Sequence, residues 1–460
     1  MKMKILNLLL LPLFLGVAGH AGEEHSGGET TVFQTGQNAY ALPLANISRE
    51  KRREHVVGNS FFNKNWVVAP ASTSARDGLG PLFHARSCSE CHTRDGRAAP
   101  PAEGELMTGL LFRLSVPGKG PHGGTLPDPN YGGQLGVRAI PGADPEGNVK
   151  IEYEDLERNY PDGTKVTLRK PVYTLESSGK YGDFSPDVLF SPRIAPPVFG
   201  VGLLEAISVE TLESFADPED ADKDGISGKA NHVWHAEKKK TMIGRFGWKS
   251  NQPDVRHQTA SAFLGDIGIT SSIHPRADFS DGQLTVLKKL KSGLDPDDLP
   301  ELQDKLLDRT VTYQQTLAPP ARRDWNKAEV VRGREFFEKA NCTACHIPEM
   351  KTGDFPDIPE LENQMIRPFT DLLLHDMGEE LADNRPDGEA DGMEWRTSPL
   401  WGIGLTKTVN DHTYFLHDGR ARNLEEAVLW HGGESEESRE FFQNLPAEDR
   451  AALLRFLESL

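Results

Sequence analysis

Cysteine is scarce in this sequence, with four residues in 460. So few cysteines rule out a fold held together mainly by disulfides. Positive charge is also in short supply, since 51 lysines and arginines stand against 69 acidic residues, for a formal net charge of −18. That balance argues against nucleic acid or an anionic membrane surface as partner. Beyond the N-terminal segment, no apolar run is long enough to cross a bilayer.

The first 21 residues have the pattern of a secretory signal peptide. Lys2 and Lys4 precede the apolar run "ILNLLLLPLFLGVAG", and small residues at Gly19 and Ala21 frame a cleavage site. The run is too short and too soon interrupted for a membrane span. We therefore expect residues 1–21 to be removed and the mature protein to be exported to the periplasm.

All four cysteines lie in two identical patterns. "SCSECH" contains Cys88 and Cys91, and "NCTACH" contains Cys342 and Cys345. Histidine follows each pair, although only 15 of 460 residues are histidine. Two such histidines would arise by chance about once in a thousand. The histidines are therefore part of the pattern.

Covalent c-type haem explains this pattern better than three alternatives. Disulfides within C-x-x-C pairs add little to a fold, zinc pairs normally lie closer than the roughly 250 residues separating these, and a thioredoxin-like motif leaves both histidines unexplained. In c-type haem two thiols form thioethers to the porphyrin and the next histidine ligates iron. The sequence predicts two covalently bound haems, one held by Cys88, Cys91 and His92 and the other by Cys342, Cys345 and His346.

The remaining pattern predicts a mainly α fold with two cytochrome c-like haem domains. Residues 324–460 read as a compact C-terminal domain, with an amphipathic helix in "AEVVRGREFFEKANCTACH" and a closing helix in "PAEDRAALLRFLESL". Residues 22–323 read as a larger N-terminal haem domain. Alternating segments such as "LLFRLSV", "KIEYEDL" and "KVTLRKPVYTL" predict β-containing insertions within it.

An acidic loop predicts a second kind of site. Asp220, Asp222 and Asp224 occupy alternate positions and Gly225 follows, as at the start of a calcium-binding loop. The twelfth position is Asn231 where such loops carry glutamate, so the bidentate ligand is either missing or supplied from elsewhere. A solvated acidic turn is the alternative interpretation.

The sequence resembles the di-haem oxidoreductase, putative-peroxidase family, relatives of the bacterial di-haem cytochrome c peroxidases. The segments that carry the resemblance include "GLGPLFHARSCSECHTRDGRAAPP", "SPRIAPPVFGVGLLEAI", "LLLHDMGEELAD" and "FLHDGRARNLEEAVLWHGGE". They cover nearly the whole mature chain. The resemblance implies an enzyme that takes electrons through the C-terminal haem and uses them at the N-terminal one.

At the C-terminal haem the resemblance points to a sixth ligand. Related peroxidases carry a methionine fourteen residues past the histidine of a segment like "FLHDG", and here His431 takes that place after His417. Imidazole in place of thioether implies a lower haem potential. Met377 and His417 are the alternatives.

At the N-terminal haem the resemblance leaves more open. Peroxide chemistry needs an accessible iron position and an acid–base group. Glu205 best matches the catalytic glutamate of the relatives, although a structural role is an equal alternative. His122 is the nearest candidate for the sixth ligand, and Met107 and Tyr131 are others, but a structural role is the preferred interpretation for each of the three. For an aromatic electron relay between the haems the candidates are Trp66, Trp248 and Trp401, with Trp248 preferred.

We therefore expect a periplasmic di-haem oxidoreductase that reduces peroxide. Its expected partner is a small soluble electron donor such as a cytochrome or cupredoxin. A non-catalytic electron-transfer protein is one alternative, and a redox accessory of iron uptake is another.

Overall fold

Short helices and small sheets alternate along the chain in the computed structural model, which describes residues 22–73, 75–287 and 301–460. The predicted signal peptide, residues 1–21, lies outside these ranges. None of the helices within them combines the length and the hydropathy needed to span a bilayer.

The α-helices of the described residues are α1 (Arg49–Asn63), α2 (Cys88–Cys91), α3 (Val201–Glu205), α4 (Val209–Glu213), α5 (Val255–Ala262), α6 (Asp281–Leu287), α7 (Asp304–Gln315), α8 (Ala328–Lys339), α9 (Thr406–Asn410), α10 (Leu424–Leu429), α11 (Glu436–Asn444) and α12 (Ala447–Ser459). The strands are β1 (Leu82–Phe83), β2 (Leu110–Lys119), β3 (Thr125–Leu126), β4 (Arg138–Ala139), β5 (Gly147–Asn159), β6 (Lys165–Ser177), β7 (Leu189–Ile194), β8 (His232–His235), β9 (Lys240–Ile243), β10 (Met350–Lys351), β11 (Met365–Ile366), β12 (Leu374–Asp376) and β13 (Glu394–Arg396).

The predicted mainly α fold class is wrong. The chain is 30% helical and 19% strand, and the strands form several small sheets, one of three strands in the order β3-β2-β7 and the others of two. Many of the helices have only four to nine residues, because glycine and proline interrupt the helical pattern repeatedly. The fold is mixed α and β.

Both helices predicted at the C-terminal end are present, and they pack closely together. α8 leads into the turn that carries Cys342, and α12 closes the chain after Pro446. At Gly333 an added side-chain carbon would lie 1.9 Å from the carbonyl oxygen of Ala452. Only glycine allows the backbones of α8 and α12 to approach this closely.

The longest strands form a β-ribbon that reaches across the molecule. β5 and β6 pair antiparallel over 13 residues each, from Gly147 opposite Ser177 to Asn159 opposite Lys165. The hydroxyl of Tyr173 donates to Asp418 at 3.0 Å, and that of Tyr160 donates to Glu425 at 2.8 Å. The insertion predicted for the N-terminal part thus covers the C-terminal part.

The buried apolar residues form two clusters, and each cluster contains residues from before and from after residue 324. The first joins α1 and α7 to residues such as Leu361 and Trp401. The second joins β2 and the ribbon to α8 and α12. The predicted division into residues 22–323 and 324–460 stays a prediction, and the interior of the molecule is shared between the two parts.

Candidate functional site

Both C-x-x-C-H motifs open into one continuous cavity. Its lining includes Cys88, Cys91 and His92 from the first motif and Cys342, Cys345 and His346 from the second. No disulfide joins any of the four cysteines. The fold therefore brings together two sequences that lie about 250 residues apart.

The N-terminal motif is a single helical turn with its histidine held from behind. α2 spans Cys88–Cys91, and the Nδ1–H of His92 donates to the carbonyl of Pro196 at 2.7 Å. Burial lowers the pKa of His92, so the ring stays neutral. With Nδ1 carrying the proton, Nε2 has a free lone pair, the state required of a metal ligand.

The C-terminal motif repeats this arrangement. The turn Cys342–Ala344 follows α8, and the Nδ1–H of His346 donates to the carbonyl of Phe369 at 2.9 Å. Burial, with a smaller contribution from the nearby ring of His431, lowers the pKa of His346 to about 4. Its Nε2 is likewise available as a ligand.

His431 lies directly beyond α10 and lines the same cavity. The side chain of Asn423 caps α10 by accepting from the N–H of Glu426 at 2.8 Å. The Nδ1–H of His431 donates to the carbonyl of Ala427 at 2.7 Å, and burial lowers its pKa. His431 therefore presents the same neutral tautomer as the two motif histidines, close to His346.

The two alternative ligands at this haem also line the cavity. The hydroxyl of Ser435 lies 3.9 Å from the sulfur of Met377. His417 stacks on Trp395 with ring centroids 3.8 Å apart, and its Nε2 is buried without a hydrogen-bond partner. The described structure shows neither of them held by a hydrogen bond like the one from His431 Nδ1–H to the Ala427 carbonyl, which fixes the ligand tautomer. His431 therefore stays the preferred prediction.

The cavity also holds three arginines that form no close ion pair in the described part of the chain. Arg97, Arg113 and Arg396 line it, and the guanidinium groups of Arg97 and Arg396 donate to backbone carbonyls. Burial lowers the pKa of Arg97 and of Arg396 to about 10. Arg97 lies between the rings of Trp248 and Phe415, and its Nε has no hydrogen-bond partner.

These residues fit two haems. The carboxylates of haem propionates would pair with these guanidinium groups, since buried cations without a close ion pair need a counter-charge. Two pairs of thiols and three neutral histidines supply the groups that attach a porphyrin and ligate iron. The apolar part of the lining suits the porphyrin ring.

A histidine that the sequence reasoning missed borders the C-terminal motif. His375 Nδ1 lies 2.6 Å from Glu434 and 3.4 Å from the sulfur of Cys345, and its Nε2 lies 2.8 Å from Asp371. Burial alone would lower its pKa, but these hydrogen bonds hold the pKa of His375 well above its usual value. A positive charge thus lies beside one attachment cysteine. In the sequence, the only sign of this region was the segment "LLLHDMG", which contains His375 and resembles the family.

On the N-terminal side, none of the three candidate sixth ligands lines the cavity within the described ranges. His122 stacks on Trp234 at 3.8 Å, and the hydroxyl of Tyr131 donates to Gly182. Met107 is buried in the core. A different histidine, His84, does line the cavity: its Nε2 lies 3.1 Å from the Thr108 carbonyl and its Nδ1 has no partner.

Glu205 lies beside the cavity but is not part of its lining. Its carboxylate accepts from Gln315 at 2.7 Å and from the N–H of Val255 at 3.2 Å. Burial raises the pKa of Glu205 to about 7. Its predicted catalytic role stays a prediction, because both carboxylate oxygens are engaged by structural partners.

The predicted aromatic relays divide into two groups. Trp248 and Trp401 line the cavity, whereas Trp66 is buried away from it. The Nε1–H of Trp248 donates to the Ile194 carbonyl at 2.8 Å, with Arg97 over its ring at 5.3 Å. Trp248 is thus fixed between a carbonyl and a cation at the cavity wall.

The acidic loop gathers a slightly different set of carboxylates from the predicted one. Oxygens of Asp217, Asp220 and Asp222 lie within 4.8 Å of one another. Asp224 is not part of this group, and its carboxylate accepts from the N–H of Ile226 at 2.9 Å. Asp217 precedes the alternating pattern, so the sequence spacing did not mark it.

Comparison with known families decides the classification. The family model described as "Di-haem oxidoreductase, putative peroxidase" matches residues 20–113 and 119–460. The chain belongs to this family. Membership implies two haem groups and a peroxidase-like oxidoreductase, in agreement with the resemblance noted in the sequence.

Two further comparisons add little to the di-haem oxidoreductase assignment. No curated protein gives a significant match. Among solved structures, the diheme peroxidase BthA from Burkholderia thailandensis matches at 14% identity with a TM-score of 0.37, over 95% of this chain and 91% of that one. That score is too low to establish a shared fold.

Proposed function

We propose that this di-haem oxidoreductase is a periplasmic c-type enzyme that reduces peroxide. Two electrons and two protons convert peroxide to water, and we propose that the electrons pass from the C-terminal haem to the N-terminal one. The observation that carries the proposal is the single cavity lined by both C-x-x-C-H motifs, together with the family assignment.

The chain's own residues would hold the two haems in distinct ways. Cys88 and Cys91 would attach one, and Cys342 and Cys345 the other. When bound, haem iron supplies the redox chemistry that the side chains lack. The carbonyls of Pro196 and Phe369, 2.7 and 2.9 Å from the two histidines, hold each ring as the neutral ligand tautomer.

An asymmetry between the two sites supports the proposed direction of electron flow. His346 has a second carbonyl-bound imidazole, His431, close enough to affect its pKa. Among the described residues no second imidazole influences the pKa of His92 in the same way, although the cavity lining also contains His84, whose Nδ1 is unpartnered. Two axial ligands suit electron transfer, whereas an open position suits peroxide binding.

The remaining parts of the proposal concern the electron path and the setting of the enzyme. We propose Trp248 as the aromatic residue between the two sites, because it lines the cavity next to Arg97. We also propose that residues 1–21 direct export and that a small soluble cytochrome or cupredoxin supplies electrons. The haem-attachment motifs and the signal-like N-terminus support periplasmic maturation.

Calcium binding at the acidic loop is part of the same proposal. Asp217, Asp220 and Asp222 offer hard oxygen ligands of the type Ca²⁺ prefers. The loop is tied to the C-terminal motif, since the hydroxyl of Ser227 donates to Glu434 at 2.6 Å and Glu434 contacts His375. An ion here would order the segment next to that haem.

Ferric spectroscopy combined with a peroxide assay tests the proposed function. The haem-loaded protein should show one low-spin centre and one high-spin centre that cyanide perturbs, and it should consume peroxide when supplied with a reduced donor. Two low-spin centres inert to cyanide, with no peroxide consumption, would refute the peroxidase proposal and favour a non-catalytic electron-transfer protein.

A further inference from the structure

Asp266 is a carboxylate on the wall of the cavity into which the N-terminal motif opens. It differs in this from Glu205, which lies beside the cavity with both of its oxygens engaged. In the described structure only Oδ1 of Asp266 accepts a hydrogen bond, from the side-chain amide of Gln134 at 2.9 Å. Its Oδ2 therefore stays available to a molecule in the cavity.

The backbone around Asp266 explains why its side chain meets the cavity. One face of α5 lines the cavity through residues such as Val255 and Ala262. The chain then continues from α5 into a single π-helical turn, Phe263–Ile267. Such turns are frequent at functional sites. Asp266 lies in this turn, on the same wall as α5.

The turn is fixed against the segment that leads into the N-terminal motif. The backbone N–H of His84 donates to the Asp266 carbonyl at 2.7 Å. At Gly268, which ends the turn with a φ of 74°, an added side-chain carbon would lie 2.7 Å from the carbonyl oxygen of Leu82. Because Cys88 follows these contacts closely in the chain, the backbone sets the position of the Asp266 carboxyl group relative to the motif.

The charge of Asp266 acts on the groups around the N-terminal motif. Burial raises the pKa of Cys88 to about 12 and that of Cys91 well above its usual value, and the Asp266 carboxylate is the charged group that adds most to both increases. Burial lowers the pKa of Arg113, and Asp266 is the charged group that most opposes this decrease. The carboxylate therefore lies near the thiols that would hold the haem and near a cavity cation.

An amide and a cation flank the turn that carries Asp266. At Gly265 an added side-chain carbon would lie 3.1 Å from Oε1 of Gln134 and 3.2 Å from Nη1 of Arg113. Arg113 also lines the cavity. A positive charge at this place favours an anion in the cavity.

We propose that Asp266 is the acid–base group of the N-terminal site, the group that moves the proton during peroxide reduction. Its carboxylate accepts the proton of one peroxide oxygen and returns it to the other, which leaves as water when the O–O bond breaks. The remaining oxygen takes up the two electrons supplied by the donor protein and two protons from solvent, and becomes the second water. The inference deepens the proposed function and rests on it in supposing a haem with an open position at this motif.

A purely structural role for Asp266 is the alternative, since its side chain also holds Gln134. That role needs only a hydrogen-bond acceptor at Oδ1, which asparagine supplies equally well. Proton transfer needs the ionisable carboxyl group, which asparagine lacks. Asp266→Asn therefore separates the two roles without removing the hydrogen bond from Gln134.

Cyanide binding to the ferric, haem-loaded full chain tests the proposal without turnover. Near neutral pH cyanide is present mainly as HCN, which must lose a proton to ligate iron, so a base beside the open position accelerates binding. Stopped-flow absorbance gives the association rate for the parent, Asp266→Asn and Asp278→Asn. Asp278→Asn is the matched control, because it removes the same charge from an exposed aspartate that also acts on Arg113 but lies outside the described cavity lining.

We expect Asp266→Asn to bind cyanide about 10²-fold more slowly than the parent and to consume peroxide about 10²- to 10⁴-fold more slowly. Asp266→Glu, which keeps the carboxyl group, should recover much of both rates. Asp278→Asn should stay within about threefold of the parent in both, since it loses only an exposed, screened charge. The denatured mass of each variant shows whether it carries two haems.

A parent-like cyanide rate in Asp266→Asn would overturn the proposal, and so would equal loss in Asp266→Asn and Asp278→Asn. If neither Asp266→Asn nor Asp266→Glu takes up two haems, the residue serves the fold and the proposal is likewise overturned.

The proposed function can fail separately from this inference. A parent that binds cyanide in an Asp266-dependent way but consumes no peroxide would contradict the peroxidase and leave the acid–base group in place. Equal peroxide consumption by the parent and Asp266→Asn would leave the peroxidase and remove Asp266 from its chemistry. An N-terminal haem that does not bind cyanide would refute both.

Discussion

Replacement of Glu205 by glutamine separates a structural role of this carboxyl group from a catalytic one. Burial raises its pKa from 4.5 to about 7, so the folded protein keeps a proton that the unfolded chain releases. Stability conferred by that proton is present below pH 4.5 and is lost as the pH rises towards 7. A rise of the pKa from 4.5 to about 7 corresponds to about 3 kcal/mol.

Glutamine removes this titration at a small structural cost. Its amide can still accept from the N–H of Val255, but Gln315 must turn its own amide to pair with it, a loss of about 1 kcal/mol. At pH 8 we therefore expect Glu205→Gln to be about 2 kcal/mol more stable than the parent, and at pH 4.5 about 1 kcal/mol less stable. Denaturant unfolding at both pH values measures the difference.

Peroxide turnover of the same variant decides between the roles. If Glu205 moves a proton in catalysis, the rate should fall by about 10²- to 10⁴-fold; if it only packs against α7, the rate should be unchanged. Glu213→Gln, at an exposed position on the next helix, is the matched control and should change neither property. Identical pH dependence of stability in parent and Glu205→Gln would refute the buried, protonated carboxyl.

Three other predictions concern ligation, the acidic loop and helix packing. His431→Met should introduce the near-infrared band of methionine–iron(III) ligation and raise the potential of the C-terminal haem alone; an unchanged spectrum and potential would place the ligand elsewhere. Calcium should raise the melting temperature of the parent and not of Asp220→Asn, because binding to the native state stabilises it by mass action; chelator-insensitive melting would exclude the site. Gly333→Ala should destabilise the protein by about 1–3 kcal/mol through contact with Ala452, whereas Gly282→Ala, where an added carbon meets only the Ser280 hydroxyl at 3.7 Å, should not.

Local sequence patterns predicted the features that depend on local geometry. The spacing of Cys88, Cys91 and His92 is confined to one helical turn, so the structure could be anticipated there. Periodicity also predicted α8 and α12, and alternation predicted the strands of the β-ribbon. The fold class was wrong because the many short helices and strands between these elements carry too few residues for a clear period.

Long-range packing determined the features that were missed. His84, Arg97 and His375 reach the cavity through tertiary contacts that no sequence spacing encodes. The position of Glu205 also depends on tertiary packing. At Gly202, on the same face of α3, an added side-chain carbon would lie 2.1 Å from the carbonyl oxygen of Gln315. Because α3 and α7 approach this closely, the face of α3 that carries Glu205 is turned towards α7.

Intact mass of the denatured, periplasmically matured protein tests the central claim most directly. The account predicts the mass of the mature chain plus two haems, retained after denaturation because the thioether bonds are covalent, and plus one haem when Cys342 and Cys345 are both changed to alanine. A denatured mass equal to the polypeptide alone, with the cysteines oxidised to disulfides, would contradict it.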